Sequence, residues 1–491
     1  VDDTLGVALF VASYFQYEKQ PINVVASNLY NAQKIYDTLL SLLDEKEVLF
    51  FPVDELLRAN TLANNKEMLA QRLYVLSQLT EVQPKILITH MAGALRYVPD
   101  AALLRKLTLS LRVSQTIPLE TIRQTLIESG YQRVNKVDQS LQFAIRGDIV
   151  DITSVNLPHP VRIELFGDEI ESIRYFDLPT QTSFEAVDSI AIFPASDLLL
   201  TPEEKMRANE KIASQLQQDR SLHDLETWEQ LERRTLDEIE MLLQHRYTNS
   251  LYRYYGYLQD HPTSILQYQA TAVNLLANED SIASTADLLE KESWEYFQEL
   301  QTQGQLLSHL QMYAPWKRVL GQLPYVVRNQ EFIKETALHY PIQPITLDNS
   351  TRSPLAQRVE KAIELFTKVL FLVNNPTQRD NLKLALDDLG VAYTLQEKLK
   401  VPMHDVGLAV FPMEEGFYLP HEEMAIITSR ELFGVQAKPS KYFSRYKEAT
   451  LIQSHEDLTV GDYVVHEYSG IGQYMGVKTI EIDGLHKDYL H

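Results

Sequence analysis

Glycine loops that cradle phosphate, paired carboxylates, histidine ligand sets, and forked cations beside an exposed ring each support a distinct chemistry. The first three are not assembled in this sequence. A phosphate loop needs G-x-x-x-x-G-K-[ST], because backbone N–H groups and one lysine hold the phosphates. None of the 17 glycines opens that pattern, and no G-x-G-x-x-G follows a strand. "GVKT" at Gly476 lacks the first glycine and the helix that should follow. No H-E-x-x-H sets two histidines on one helix face, and His421 in "HEE" reads as a solvated turn. Glu414-Glu415 and Asp387-Asp388 read as surface acids, and nothing resembles a nucleophile–base pair. The fourth kind is present in part. "VRIELFGDEIESIRYFD" (Val161 to Asp177) reads as two strands joined by Gly167-Asp168. Val161, Ile163 and Leu165 share one face of the first strand; Arg162, Glu164 and Phe166 share the other. A ring beside an arginine on a polar face either belongs to a protein-binding surface or leans on a neighbouring domain.

Composition bounds the elements that must carry this hairpin. A chain of 491 residues predicts three or four domains, and a 45% hydrophobic content predicts globular ones. The absence of cysteine excludes a disulfide framework and any Cys-ligated metal centre, which fits a reducing cytosol. No apolar run reaches about 18 residues, so no membrane span is expected. The formal net charge of −22 repels DNA from the chain as a whole and makes another protein the default partner.

The hydrophobic period then divides the chain. "INVVAS", "VLFFPVDE" and "KILITH" are apolar strands at Ile22 to Ser27, Val48 to Glu55 and Lys85 to His90. Helical runs separate them, Leu29 to Leu43 (capped by Ser27 or Asn28) and around Glu67 to Leu79. This rhythm predicts a parallel sheet covered by helices. From Leu141 to about Phe193 the strands are short, alternating and turn-linked, after a helix at Leu119 to Ser129: a small antiparallel domain. Pro202 to about Tyr257 reads as charged helix packed on a core by one face. A second α/β domain is expected at roughly 340–430, with helices at Ala356 to Leu365 and "TQRDNLKLALDDLG" and strands at "KVLFLVN" and "VGLAVFP". The last stretch, "GDYVVHEYSGIGQYMGVKTIEIDGLHKDYLH", carries strands of a small barrel with too few residues to close it. The expectation is the front part of a longer polypeptide.

"YQRVNKVDQSLQFAIRGDIVDI", "VRIELFGDEIESIRYFD" and "TQTSFEAVDSIAIFPA" together resemble one module. It is the second domain of the UvrB family of nucleotide-excision-repair proteins, with a copy in the bacterial transcription-repair coupling factors. In both families it binds the damage-recognition protein UvrA. "FPVDELLRANTLANNKEMLAQRLYVL" is similar to the corresponding first domain, and "HPTSILQYQATAVNLLANEDSI" to the segment that carries UvrB's metal-binding acids. "GDYVVHEYSGIGQYMGVKTIEI" resembles the CarD-like, Tudor-type domain with which coupling factors grip the RNA polymerase β subunit, a domain that UvrB lacks. "ITSRELFG" fits as well. The resemblance implies an α/β multidomain fold. A degenerate helicase-like parallel α/β domain (1–115 and a helical 198–335) holds an inserted antiparallel α+β domain (116–197). A small α/β domain (336–435), a linker (436–457) and the start of a Tudor/SH3-like β-barrel (458–491) follow.

The resemblance also implies function. UvrA-contact residues carry over to Arg146, Arg162 and Phe166. The polymerase-contact strand carries over to Lys478, Thr479, Ile480 and Glu481, which can take up a partner strand if they lie at a sheet edge rather than inside the barrel. Where UvrB has adjacent acids for Mg²⁺, this chain has Asn278-Glu279, and an amide removes charge that the metal needs. Where UvrB has its phosphate loop, this chain reads "VDDTLGVALFVASYF". The expectation is a cytoplasmic, monomeric adaptor for transcription-coupled repair with no catalytic residue and no cofactor. ATP, magnesium, DNA translocation and most DNA contact would belong to a C-terminal motor of the parent, and a C-terminal domain would mask the UvrA face at rest. The 340–430 domain reads as a spacer. The rivals are an active UvrB-type helicase and a CarD-type regulator fused to an α/β scaffold.

Overall fold

The computed structural model describes residues 3–53, 66–81, 83–244, 249–255, 263–310, 313–329, 341–345, 347, 354–396, 405–411, 413, 415–433, 463–466, 470–482 and 485–490. The expected linker, 436–457, lies outside them. The chain divides into two compact units, Val1–Pro439 and Ser440–His491.

The first unit is founded on a five-stranded, all-parallel sheet. Strands Ile22–Ala26, Val48–Phe51 and Ile86–His90 are buried at every position, as their unbroken apolar runs require. The helix Leu29–Leu42 packs Ala32, Ile35, Tyr36 and Leu39 inward. Its cap is Asn28, whose side chain accepts from the Asn31 N–H at 2.9 Å. The 198–335 segment, expected to be helical, holds long helices and also two strands. Val273–Leu276 pairs in parallel with Ile22–Ala26, and Tyr325–Arg328 pairs outside it. The strand signal was masked by Asn274, a polar residue in an apolar run. Its side chain accepts from Asn23 Nδ2 at 2.8 Å across the strand pair, which makes the position acceptable in the core.

Between Ile86–His90 and Val273–Leu276 the chain leaves and re-enters this domain. Leu109–Arg112 pairs antiparallel with Ser189–Ile192, forming a two-stranded stem. "SIAIFP" therefore builds the stem rather than the insert's main sheet. Beyond the stem, a six-stranded sheet has the spatial order 183–186, 169–176, 161–166, 149–152, 142–146, 132–133. All its pairs are antiparallel except the outermost, Gln132–Arg133 against Gln142 and Phe143. Two tight hairpins, at Gly147-Asp148 and Gly167-Asp168, link its central strands; both glycines adopt the left-handed conformation (φ +58° and +61°) that a Gly-first two-residue turn requires.

The second α/β domain holds the four expected elements, now Leu355–Leu365, Lys368–Val373, Pro376–Asp388 and Val406–Val410. Its sheet has six strands, ordered 343–344, 417–419, 424–428, 368–373, 406–410, 394–396. Helices cover one face through Val359, Ala362, Leu382, Leu386 and Leu432. The other face buries Leu370, Leu372, Phe417 and Ile426 against Leu5. Leu5 belongs to the helix Asp3–Glu18, which occupies the "VDDTLGVALFVASYF" stretch. The domain is thus packed onto the N-terminal helix, which a bare spacer would not be.

In the second unit, Tyr463–His466 pairs with Gly470–Gln473 and Val477–Ile482 with Leu485–Leu490, both antiparallel. Among the described residues these are two separate two-stranded sheets, and no barrel is formed between them. Among the described residues, too, no helix is long and apolar enough to cross a membrane.

Candidate protein-docking face

The strand Val161–Phe166 alternates as its sequence demands: Val161, Ile163 and Leu165 are buried, Arg162 and Glu164 half-buried, and Phe166 is 80% exposed. Register then decides what lies beside them. Arg162 is opposite Asp151 on the neighbouring strand Ile149–Ile152, and Arg146, on the strand beyond, is opposite Ile149. These residues share the sheet face turned away from the Ile163 core.

Asp151 is only 1% exposed, yet it is a carboxylate. Arg162 closes on it as a fork, Nε to Oδ1 at 2.7 Å and Nη2 to Oδ2 at 2.9 Å. Arg146 donates from Nη2 to the same Oδ2 at 3.2 Å, with 53% of its side chain still exposed. Arg162 is held from two further sides. Its Nη1 donates to the Gln181 carbonyl at 3.2 Å, and its guanidinium lies 4.9 Å over the buried Phe176 ring. Gln181 is set by its own loop, where Asp177 accepts from the Thr180 N–H and hydroxyl at 2.9 and 2.8 Å. The hydrogen bonds that Arg162 donates to Asp151, with the carboxylate's negative charge, raise the Arg162 pKa above its ordinary value against the opposing pull of burial. Glu164 accepts from the Ser172 hydroxyl at 2.8 Å.

The structure therefore brings Arg146 and Arg162 together and leaves Phe166 on the same face toward the turn. Two residues of the face went unread in the sequence. Asp151 was hidden in "IVDI", where it reads as a flaw in an apolar strand; only register shows that it meets an arginine. Arg174 is exposed and opposite Arg162 on the other side.

The other singled-out positions are apart from this face. Asn278 caps the helix Glu279–Thr302, its side chain accepting from the Ser281 N–H at 2.9 Å. Glu279 pairs with Arg328 on the edge strand. Asn278 thus serves as a helix cap, a task that Asp performs equally well, and among the described residues no group of His, Asp or Glu converges as a metal site. Lys478, Thr479, Ile480 and Glu481 lie on Val477–Ile482, paired with Tyr489, Asp488, Lys487 and His486. Among the described residues no strand occupies their other edge.

Comparison with known families follows the same division. A model of the UvrB interaction domain matches residues 109–198, the stem and the six-stranded insert. A model of the MFD D3 domain matches 364–432, and one of the CarD-like/TRCF RID domain matches 458–491. Together they define a multidomain protein that joins a UvrB interaction domain to an MFD D3 domain and a CarD-like one. More particularly, the chain is similar along almost its whole length to transcription-repair-coupling factors. It is 31% identical to the one from Bacillus subtilis over 99% of this chain and 42% of that protein. It is 24% identical to those from Staphylococcus haemolyticus and Staphylococcus epidermidis, over 98% of this chain and 42% of each. The chain spans about two fifths of the length of these curated relatives.

Proposed function

We propose that this chain is the adaptor part of a transcription-repair coupling factor: one surface recruits UvrA and another engages the β subunit of a stalled RNA polymerase. The observation that carries the first half is the face formed by Arg146, Arg162 and Phe166. An exposed ring beside guanidiniums already locked by a buried carboxylate is a surface prepared for a partner. The edge of Val477–Ile482 that carries no strand among the described residues supports the second half, because a partner strand can add there through main-chain hydrogen bonds, with Lys478 to Glu481 supplying selectivity. We read 458–491 as the start of a Tudor/SH3-like barrel. In this reading the chain is a monomer with no catalytic residue of its own, and neither ATP nor a metal is its cofactor; Asn278 serves as a helix cap. ATP-driven movement on DNA belongs to the whole coupling factor, and the setting is the bacterial cytoplasm.

The experiment is a binding assay with purified UvrA and purified polymerase β subunit, run beside an ATPase assay. Binding of both partners without nucleotide turnover is expected. Turnover by this chain would favour the UvrB-type helicase; polymerase binding without UvrA binding would favour the CarD-type regulator.

A further inference from the structure

The buried carboxylate under the docking face is unusual in kind. A nearly inaccessible Asp is retained only with partners, since an unpaired buried charge is strongly unfavourable. Here both partners are arginines that reach toward the solvent side of the sheet. Asp151 takes the full fork of Arg162 and one N–H of Arg146 on the same oxygen. On the far side of Arg162, the register sets the exposed Arg174 directly opposite. Like charges opposite one another across a strand pair repel. Asp151 offsets that repulsion and keeps Arg162 in the sheet row.

We propose that Asp151 is a positioning residue of the docking face, and that the paired forks it holds, with Phe166, are fitted to a partner carboxylate next to an apolar pocket. The proposal rests on reading this face as the UvrA surface. The donor count supports it. A guanidinium has five N–H donors. The bonds above commit three of Arg162's and one of Arg146's, so the pair stays donor-rich and has no acceptor to offer. Arg146, Arg162 and the neighbouring Arg174 outnumber Asp151 and Glu164 on this face and leave it a net positive charge, on a chain whose formal charge is −22. Because both side chains are already ordered, their ordering cost falls before binding rather than on it.

The test is a double-mutant cycle on the whole chain with purified bacterial UvrA, with thermal melting recorded for each variant. Asp151→Asn keeps the shape and removes the charge; it is expected to weaken UvrA binding about tenfold, as loss of a charge-assisted network does. In an Arg146→Ala/Arg162→Ala background the same substitution is expected to cost nothing more. Equal loss in both backgrounds, or no loss while the wild type binds, would overturn the proposal. Should Asp151→Asn melt below the assay temperature, Arg162→Lys carries the same expectation, since an ammonium cannot make the fork; unchanged affinity there would also overturn it. A second readout separates this inference from the partner's identity. With nitrogen-labelled arginine, the Arg162 Nε proton should be protected from solvent exchange in the wild type and lose that protection in Asp151→Asn. Protection without UvrA binding would mean that the partner is wrong and the positioning right; no protection in the wild type would remove the positioning role itself.

Discussion

Among single residues, Phe166 is the most telling. It is 80% exposed, so it contributes little to the fold, and removing it is expected to move stability by no more than about 0.5 kcal/mol. As an aromatic anchor of an interface it should be worth about 2 kcal/mol, or roughly thirtyfold in affinity. Phe166→Ala is therefore predicted to weaken UvrA binding by that order while the melting temperature stays within a few degrees. Isothermal titration beside a thermal melt checks it; an intact affinity would remove Phe166 from the interface. The sequence made this residue visible because strict alternation in "VRIELF" sets the ring on the polar face. It did not make Asp151 visible. A lone acid between Val150 and Ile152 acquires meaning only from the strand opposite, and cross-strand register is set by turns and tertiary packing rather than by local period. Asn278 shows the converse: a residue read for its lost metal chemistry is explained locally, by the helix that it caps.

For an element, the question is how the insert is fixed to its frame. The segment leaving the stem is buried throughout residues 193–200. Within it, Asp197 accepts from Arg72 Nε and Arg96 Nη2, both at 3.1 Å. Arg72 lies on the helix Lys66–Leu79, and Arg96 follows the helix Met91–Leu95 and lies 3.6 Å over the Tyr252 ring. One carboxylate thus ties the insert's exit to three parts of the parallel domain. Burial alone would push the Asp197 carboxyl up; Arg96 and Arg72 overcome that and hold it at about 2. Asp197→Asn is predicted to destabilise this unit by about 3 to 5 kcal/mol, since it leaves two buried guanidiniums without their counter-charge. A depressed carboxyl contributes stability that is complete above the unfolded value of 3.8 and lost as pH falls through about 2. The wild type should therefore lose melting temperature more steeply than Asp197→Asn over that window; parallel pH profiles would contradict the ion pair. Proline at Thr479 or Ile480 makes a second case. It should abolish β-subunit binding and leave UvrA binding unchanged, because it removes a main-chain donor from a strand of the second unit, whereas the insert belongs to the first; loss of both would signal general misfolding. At this scale the continuous apolar strands were legible from sequence, since they are buried on both faces. Val273–Leu276 was not, because Asn274 breaks its run, and neither were the short strands 343–344, 394–396 and 417–419, which are too brief to show a period.

Taken whole, the molecule is strongly acidic, with its candidate UvrA face built around arginines. Attraction between that face and an acidic partner patch acts over the Debye length of about 8 Å at physiological salt. UvrA binding is accordingly expected to weaken as salt rises from 50 mM to about 500 mM, and Arg146→Ala, whose side chain is the more exposed of the pair, should flatten that dependence; an unchanged salt slope would argue that Arg146 makes no charge contact. The central claim is that one chain carries both docking surfaces and no motor. Its most direct test is a bridging measurement: immobilise the RNA polymerase β subunit, add this chain, then add UvrA, without nucleotide. The account predicts that UvrA is captured only when the chain is present, and that Phe166→Ala weakens the capture roughly thirtyfold while the chain itself stays bound. Failure of UvrA to be captured by a β-bound chain, or capture that requires ATP, would contradict it.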